Sequence, residues 1–193
     1  TNDVSAVVTK LLAFYEGEHR LVVTEMIQGA AQEYAKLVAV EARAEVGTET
    51  ESAFNPEVFS GLYAKKAAVR WTNGSLRQLE KVLADNSADY ESSVQTRLKS
   101  WQEARADRFA LRETVQAGGA VAREVFMSLG IAALRWKTIG ETEARALDGK
   151  EVSIGQAFAQ KGDQFGHITT NTKISHPPLT SGDESIILPV VYK

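Results

Sequence analysis

Apolar residues between Val4 and Leu129 recur at three- and four-residue steps, and the one proline in that stretch is Pro56. This spacing gathers them on one face of successive α-helices. Val4, Val7, Val8, Leu11, Leu12 and Tyr15 begin the stripe, and Val22, Val23, Met26, Ile27, Tyr34, Leu37 and Val38 continue it. Glu16, Glu18, Arg20, Gln28 and Lys36 fall between them as a solvated face. The pattern predicts one long helix, or two joined near Gly29. Gly47 to Pro56 is polar and aperiodic, and it closes on Asn55-Pro56, a turn followed by a helix start.

A second helix is expected from Pro56 to Trp71, ended by Asn73-Gly74. Ser75 then caps a third, carrying Leu76, Leu79, Val82 and Leu83, and Ser87 caps a fourth, carrying Tyr90, Val94, Leu98 and Trp101. A fifth runs through Leu111, Val115, Gly118, Ala122, Val125, Phe126 and Leu129 to a C-terminal cap at Gly130. Gly118 and Gly119 inside it each cost roughly 1 kcal/mol against alanine. Close approach of another backbone would explain why they are kept.

The texture changes after Gly130. Ile131 to Thr138 reads as a strand, and Leu147-Asp148-Gly149-Lys150 is a turn before Val152 and Ile154, so a hairpin is expected. Gly155 to Gln160 can form one or two helical turns, and Lys161 to Asp183 is loop-like. Ile186, Ile187, Leu188, Val190 and Val191 make a terminal strand, which Pro189 assigns to a sheet edge. The expected fold is α+β: a mainly helical region over residues 1–130, then a small unit over 131–193 with a short antiparallel sheet.

Composition narrows the chemistry. With 193 residues, 44% hydrophobic and 24% charged, the chain can bury one or two modest cores. A net charge of −3 gives no global attraction to nucleic acid. The absence of cysteine excludes disulfides, thiolate metal sites and cysteine nucleophiles. No apolar run reaches the roughly 18–20 residues of a membrane span, and no N-terminal stretch has signal-peptide order. A chain opening at Thr1 is expected to be processed, trimmed or part of a longer polypeptide.

Candidate sites are few. His19 sits among Glu16, Glu18 and Arg20 and reads as a solvated helix residue. His167 and His176 stand in the polar stretch with Asp163 and Asp183, without the rigid spacing of a metal site. A hydrolytic set can be assembled from Ser153 or Ser175, His167 or His176, and Asp148, yet no Gly-x-Ser-x-Gly elbow activates either serine. Glu141 and Glu143 read as exposed and unpartnered. Lys65, Lys66, Arg70, Trp71 and Arg77 form a basic stretch in which a DNA contact competes with a solvated face and an inward Trp71. No metal, cofactor or catalytic residue is expected.

From Arg108 onward the residues follow a distinctive order. Arg112-Glu113-Thr114 opens a helix ending in Met127-Ser128-Leu129-Gly130-Ile131. Leu134-Arg135-Trp136-Lys137-Thr138, Arg145-Ala146-Leu147-Asp148-Gly149-Lys150, Phe158 before Gly162, and His176-Pro177-Pro178-Leu179 follow. Over residues 108–193 this order resembles the phage head-morphogenesis, or Mu F-like, family. Many of its members carry a small zinc-type clamp, with a Cys pair before the Leu-Asp-Gly turn and further ligands after Pro-Pro-Leu. The first pair falls here at about Glu141 and Ala144, and the second segment reads Thr180-Ser181-Gly182-Asp183-Glu184-Ser185. The soft ligands are missing as a set, so packing of Trp136, Val152, Ile154, Phe158, Ile186 and Leu188 must hold the terminal strand. The resemblance implies a non-enzymatic virion component, a minor capsid protein at the portal vertex or capsid interior. Portal or capsid proteins would be its partners, in multiple copies, with a role in handling packaged DNA and assembly in the host cytoplasm. The domain also occurs fused to the C-terminal end of portal proteins, which fits a chain opening at Thr1. The rival classes are a hydrolase or nuclease using His167, His176 and Asp148, and a generic helical adaptor.

Overall fold

The computed structural model describes residues 4–47, 51–85 and 89–191, and in it the chain is α+β, with helices first and a small antiparallel sheet after them. Helix α1 (Val4–Glu16) and helix α2 (Glu18–Val46) meet at Gly17 and not at Gly29. Gly17 N–H still donates to the Ala13 carbonyl at 3.0 Å, and a Cβ there would lie 2.8 Å from that oxygen. Helix α3 (Pro56–Asp85) starts where Asn55-Pro56 predicts, its first N–H groups capped by Asn55 Oδ1 at 2.9 and 3.1 Å.

Helix α3 does not stop at Asn73-Gly74. Its buried face continues from Tyr63 through Ala67, Leu76 and Leu79 to Leu83, and that burial outweighs a local glycine cost of about 1 kcal/mol. Ser75 is no cap. Its hydroxyl donates at 2.9 Å to the Trp71 carbonyl of its own helix. Likewise the fourth and fifth predicted helices are one, α4 (Tyr90–Ser128), while the expected Ser87 cap lies outside the described residues. Helix α4 ends as predicted at Gly130, whose φ of +75° closes the turn. There Gly130 N–H reaches Met127 O at 3.1 Å and Ile131 N–H reaches Phe126 O at 3.0 Å.

Contacts divide the chain into two compact units, and the division crosses the helices instead of falling at residue 130. One unit holds Thr1–Ala31 and Ser60–Phe109, with Tyr15, Leu76 and Leu79 at its centre and Leu11, Leu12, Val94 and Trp101 packed around them. The other holds Gln32–Phe59 and Ala110–Lys193. Its core joins Ala35, Ala39 and Ala42 of α2 and Val121, Val125 and Phe126 of α4 to Leu134, Trp136, Leu147, Val152, Phe158 and Ile187. The rear segments of α2 and α4 belong with the sheet because they supply the other half of its hydrophobic layer.

The buried face of α2 is therefore an alanine row, and the larger apolar residues predicted to be buried are not all so. Met26 is 71% and Leu37 67% exposed. Small side chains let helices approach closely, which a stripe of Met and Leu would prevent.

In the sheet, β1 (Ala133–Lys137) is central between β2 (Glu151–Ser153) and β5 (Ile186–Val190), antiparallel to both. Pro189 occupies the edge strand as expected. Trp136 pairs with Ile187, so Ile187 shares its inward face at 4% exposure while Ile186 is 43% exposed. The predicted packing set is thus corrected at Ile186, and Leu188 is only part-buried, because a strand changes face at every residue. Gly155 to Gln160 is a turn and not a helix: Gln156 N–H bonds to Ser153 O at 2.8 Å, and Ala159 then bridges to Ile174. A 3-10 helix (Glu143–Leu147) and a small hairpin of β3 (Gln164–Phe165) and β4 (Ile168–Thr169) complete the unit.

Candidate functional site

Of the residues in the Arg108-to-Leu179 order, Trp136, Leu147 to Lys150, Phe158 and Pro177 converge on one knot in the sheet-bearing unit, while Arg108 belongs to the helical unit. Trp136 is fully buried, edge-on to Phe158 at 5.2 Å. Leu147 enters the same core. Asp148 Oδ1 accepts the Thr138 N–H at 2.8 Å, and Gly149, at φ +76°, gives its N–H to Trp136 O at 2.9 Å. Lys150 Nζ donates to the Phe158 carbonyl at 2.7 Å. Each residue of the Leu-Asp-Gly-Lys turn therefore closes a different side of the pocket around Trp136.

Helix α4 clamps this knot from outside. Pro177 is buried, and His176 and Pro177 lie so near Gly119 that a Cβ there would stand 3.2 Å from both. At Gly118 a Cβ would stand 3.0 Å from the Tyr34 hydroxyl oxygen. The glycine pair thus answers to close approach, of side chains and a proline ring instead of a bare backbone. The helix residue that satisfies sheet-unit carbonyls is Arg123. Its guanidinium donates to Ser175 O at 2.6 Å, Gln156 O at 3.2 Å, and Ile154 O. Burial lowers its pKa, opposed by the charge of Glu124. Arg112 is exposed, Glu113 is buried, and Thr114 Oγ1 bonds back to Ala110 O at 2.8 Å.

Where the resemblance would put the second ligand set, the chain has its own tie. Asp183 is 1% exposed; it accepts the N–H groups of Leu179 at 2.7 Å and Ser185 at 2.9 Å, and the Ser185 hydroxyl as well. Three hydrogen bonds to one carboxylate fold the segment that leads into β5.

The hydrolytic candidates are held apart by different partners. His167 is exposed and faces Glu143 at 3.6 Å, His176 Nδ1 contacts Pro177 O at 2.8 Å, and Asp148 is engaged by Thr138 and by Lys137 at 3.8 Å. Ser153 is exposed on β2, and Asp163 accepts the Gln160 N–H at 2.8 Å. Glu141 and Glu143, read as unpartnered, pair with Arg145 and His167. Among the described residues no group of three or more His, Asp or Glu is placed to hold a metal ion, and no helix is long and apolar enough to cross a membrane.

Two surfaces remain. In the sheet-bearing unit, a groove of about 270 Å³ runs between α2, α4 and β5, with Val38, Ala122, Phe126 and Leu188 along it and Glu41, Glu45 and Glu184 beside them. In the helical unit, the Arg105 guanidinium sits between the rings of Trp71 and Trp101, at 3.9 and 4.1 Å. Its Nη2 donates to Trp71 O at 3.1 Å and Ser75 Oγ at 2.8 Å. Burial lowers the Arg105 pKa, with Tyr15 opposing. His19 joins this cluster and is not a solvated surface residue: it stacks on Phe14 at 5.3 Å and accepts from Trp71 Nε1 at 3.3 Å. Burial and then the charge of Arg105 lower its pKa. Lys65, Lys66 and Arg77 lie exposed on α3, with Trp71 turned inward against Phe109 at 4.5 Å. Comparison with protein-family models, curated proteins and solved structures gives no match to this chain.

Proposed function

We propose that the protein is a structural minor component of a bacteriophage head, acting at the portal vertex or capsid interior in head morphogenesis. The observation that carries this reading is the knot. Trp136, the Leu147-Asp148-Gly149-Lys150 turn and Pro177, which carry the resemblance to the Mu F-like family, all serve to fold one small unit. Residues spent on packing and turns support a module that presents surfaces, as a scaffold does.

The apolar groove beside β5 and the exposed Leu21, Met26, Leu37 and Val40 of α2 supply surface for protein partners. The natural partners on this reading are portal or capsid proteins. Mass spectrometry of purified particles from the host that carries the gene tests it. The chain should co-purify with portal and capsid proteins through a density gradient. Recovery in the free fraction only, with none in particles or procapsids, overturns the proposal.

A further inference from the structure

A second site stands in the helical unit, on residues the head-protein reading does not use. Arg97, Ser100, Trp101, Arg105 and Arg108 of α4, with Gln78 of α3, line a polar pocket of about 210 Å³. Steps of three and four residues put Arg97, Trp101, Arg105 and Arg108 along one stripe of the helix. No carboxylate lines the pocket, although Glu103 and Asp107 lie in the same helical stretch. None of the three arginines has an ion pair among the described residues.

Arg105 is the anchor. The two indoles fix its plane, and Nη2 is spent on Trp71 O and Ser75 Oγ. A guanidinium has five N–H donors, and those on Nε and Nη1 have no acceptor among the described residues. A half-buried cation without a counter-charge is a standing cost, which an anion entering from solvent would relieve. Arginine forks suit the paired oxygens of phosphate.

We infer that this pocket binds phosphate groups, with Arg97, Arg105 and Arg108 as the donors. At about 1.5 Å rise per residue the row from Arg97 to Arg108 extends roughly 16 Å. That reach exceeds one phosphate and fits successive phosphates of a nucleic-acid strand, with a free polyphosphate as the other source of the same chemistry. The site does not depend on a role in the phage head.

The test uses the full chain, fluorescence anisotropy of a labelled dT20 oligonucleotide, and sodium tripolyphosphate as competitor. Binding is expected at about 50 mM salt, with log affinity falling linearly with log salt. The Arg97→Glu/Arg108→Glu double variant should bind at least about tenfold more weakly, with the salt slope reduced by about 1.4 for two lost contacts on a single strand. Circular dichroism checks that both exposed changes leave the helices intact. Lys65→Glu/Lys66→Glu, of equal charge change on α3, should bind within about twofold of the parent chain. Direct binding of tripolyphosphate without the oligonucleotide, lost in the α4 variant, upholds the site and assigns it to free phosphates. Failure of both probes, unchanged binding by the α4 variant, or equal loss in the α3 variant overturns it.

Discussion

Replacing Trp136 by alanine and by phenylalanine separates two contributions of one side chain. The indole is fully buried against Phe158, between the strand it belongs to and the Leu147 turn, so alanine leaves a large void in the layer that α2 and α4 cover. Large-to-small aromatic changes of this kind cost about 3–5 kcal/mol. Trp136 Nε1 is also buried with no hydrogen-bond partner among the described residues. An unsatisfied buried donor costs about 1–3 kcal/mol, and phenylalanine removes it. Phenylalanine also gives up part of the ring surface, on the order of 1–2 kcal/mol at about 25 cal/mol per Å² with its packing contacts. The two nearly cancel, so Trp136→Phe should lie within about 1.5 kcal/mol of the parent. Urea denaturation followed by far-UV circular dichroism, with calorimetry as a second probe, measures both variants. A phenylalanine variant as unstable as the alanine one would refute the unsatisfied-donor reasoning. An alanine variant as stable as the parent would refute the burial of Trp136 itself.

Four further outcomes follow from the clamp and the aromatic cluster. Gly118→Ala should be neutral or stabilising by up to about 1 kcal/mol, since the Tyr34 hydroxyl it meets can swing aside. Gly119→Ala should lose about 1–3 kcal/mol against the His176 Cβ and the Pro177 ring, and equal melting temperatures for the two variants would contradict this. Arg123→Lys should lose about 1–3 kcal/mol, because one ammonium cannot span the carbonyls of Ile154, Gln156 and Ser175. Hydrogen exchange should quicken around residues 154–158, and unchanged protection there counts against the bridge. His19 has a lowered pKa in the folded chain, so below its unfolded value near 6.5 the unfolded state binds more protons. Its contribution is complete above that pH and is lost as pH falls toward the folded pKa. His19→Gln should flatten the decline in melting temperature from pH 7 to 5, and identical profiles for variant and parent would rule the contribution out.

Helix content is legible because Leu, Val and Tyr mark the helical period directly. The α3 break is misread because Asn73-Gly74 is a strong turn signal only when nothing buried lies beyond it, and Leu76 to Leu83 continue the same buried face. The alanine face of α2 escapes a search for large apolar residues, although Ala31, Ala35, Ala39 and Ala42 keep helical spacing. In the sheet unit the Leu-Asp-Gly-Lys turn and Trp136 announce themselves, since a tight turn and an indole each restrict where they can sit. Arg123, Asp183 and Arg105 do not. A charged residue at a helical or loop position looks solvated until its partners arrive from far along the chain, as Ser175 does for Arg123 and Trp71 for Arg105. The motif residues name the knot; the polar ties around it become visible only in three dimensions.

The strand order β2-β1-β5 also sets a timetable. The central strand, β1, ends at Lys137, yet its neighbour β5 begins only at Ile186. At translation rates of about 5–20 residues per second, several seconds separate the two. Throughout that interval one edge of β1 is open, and Trp136 waits for Ile187, while the helices are already complete. A nascent chain in this state shows its partners a complete helical unit and an unfinished sheet-bearing one. Any factor that recognises exposed apolar strand has its opening then, and the arrival of β5 ends it.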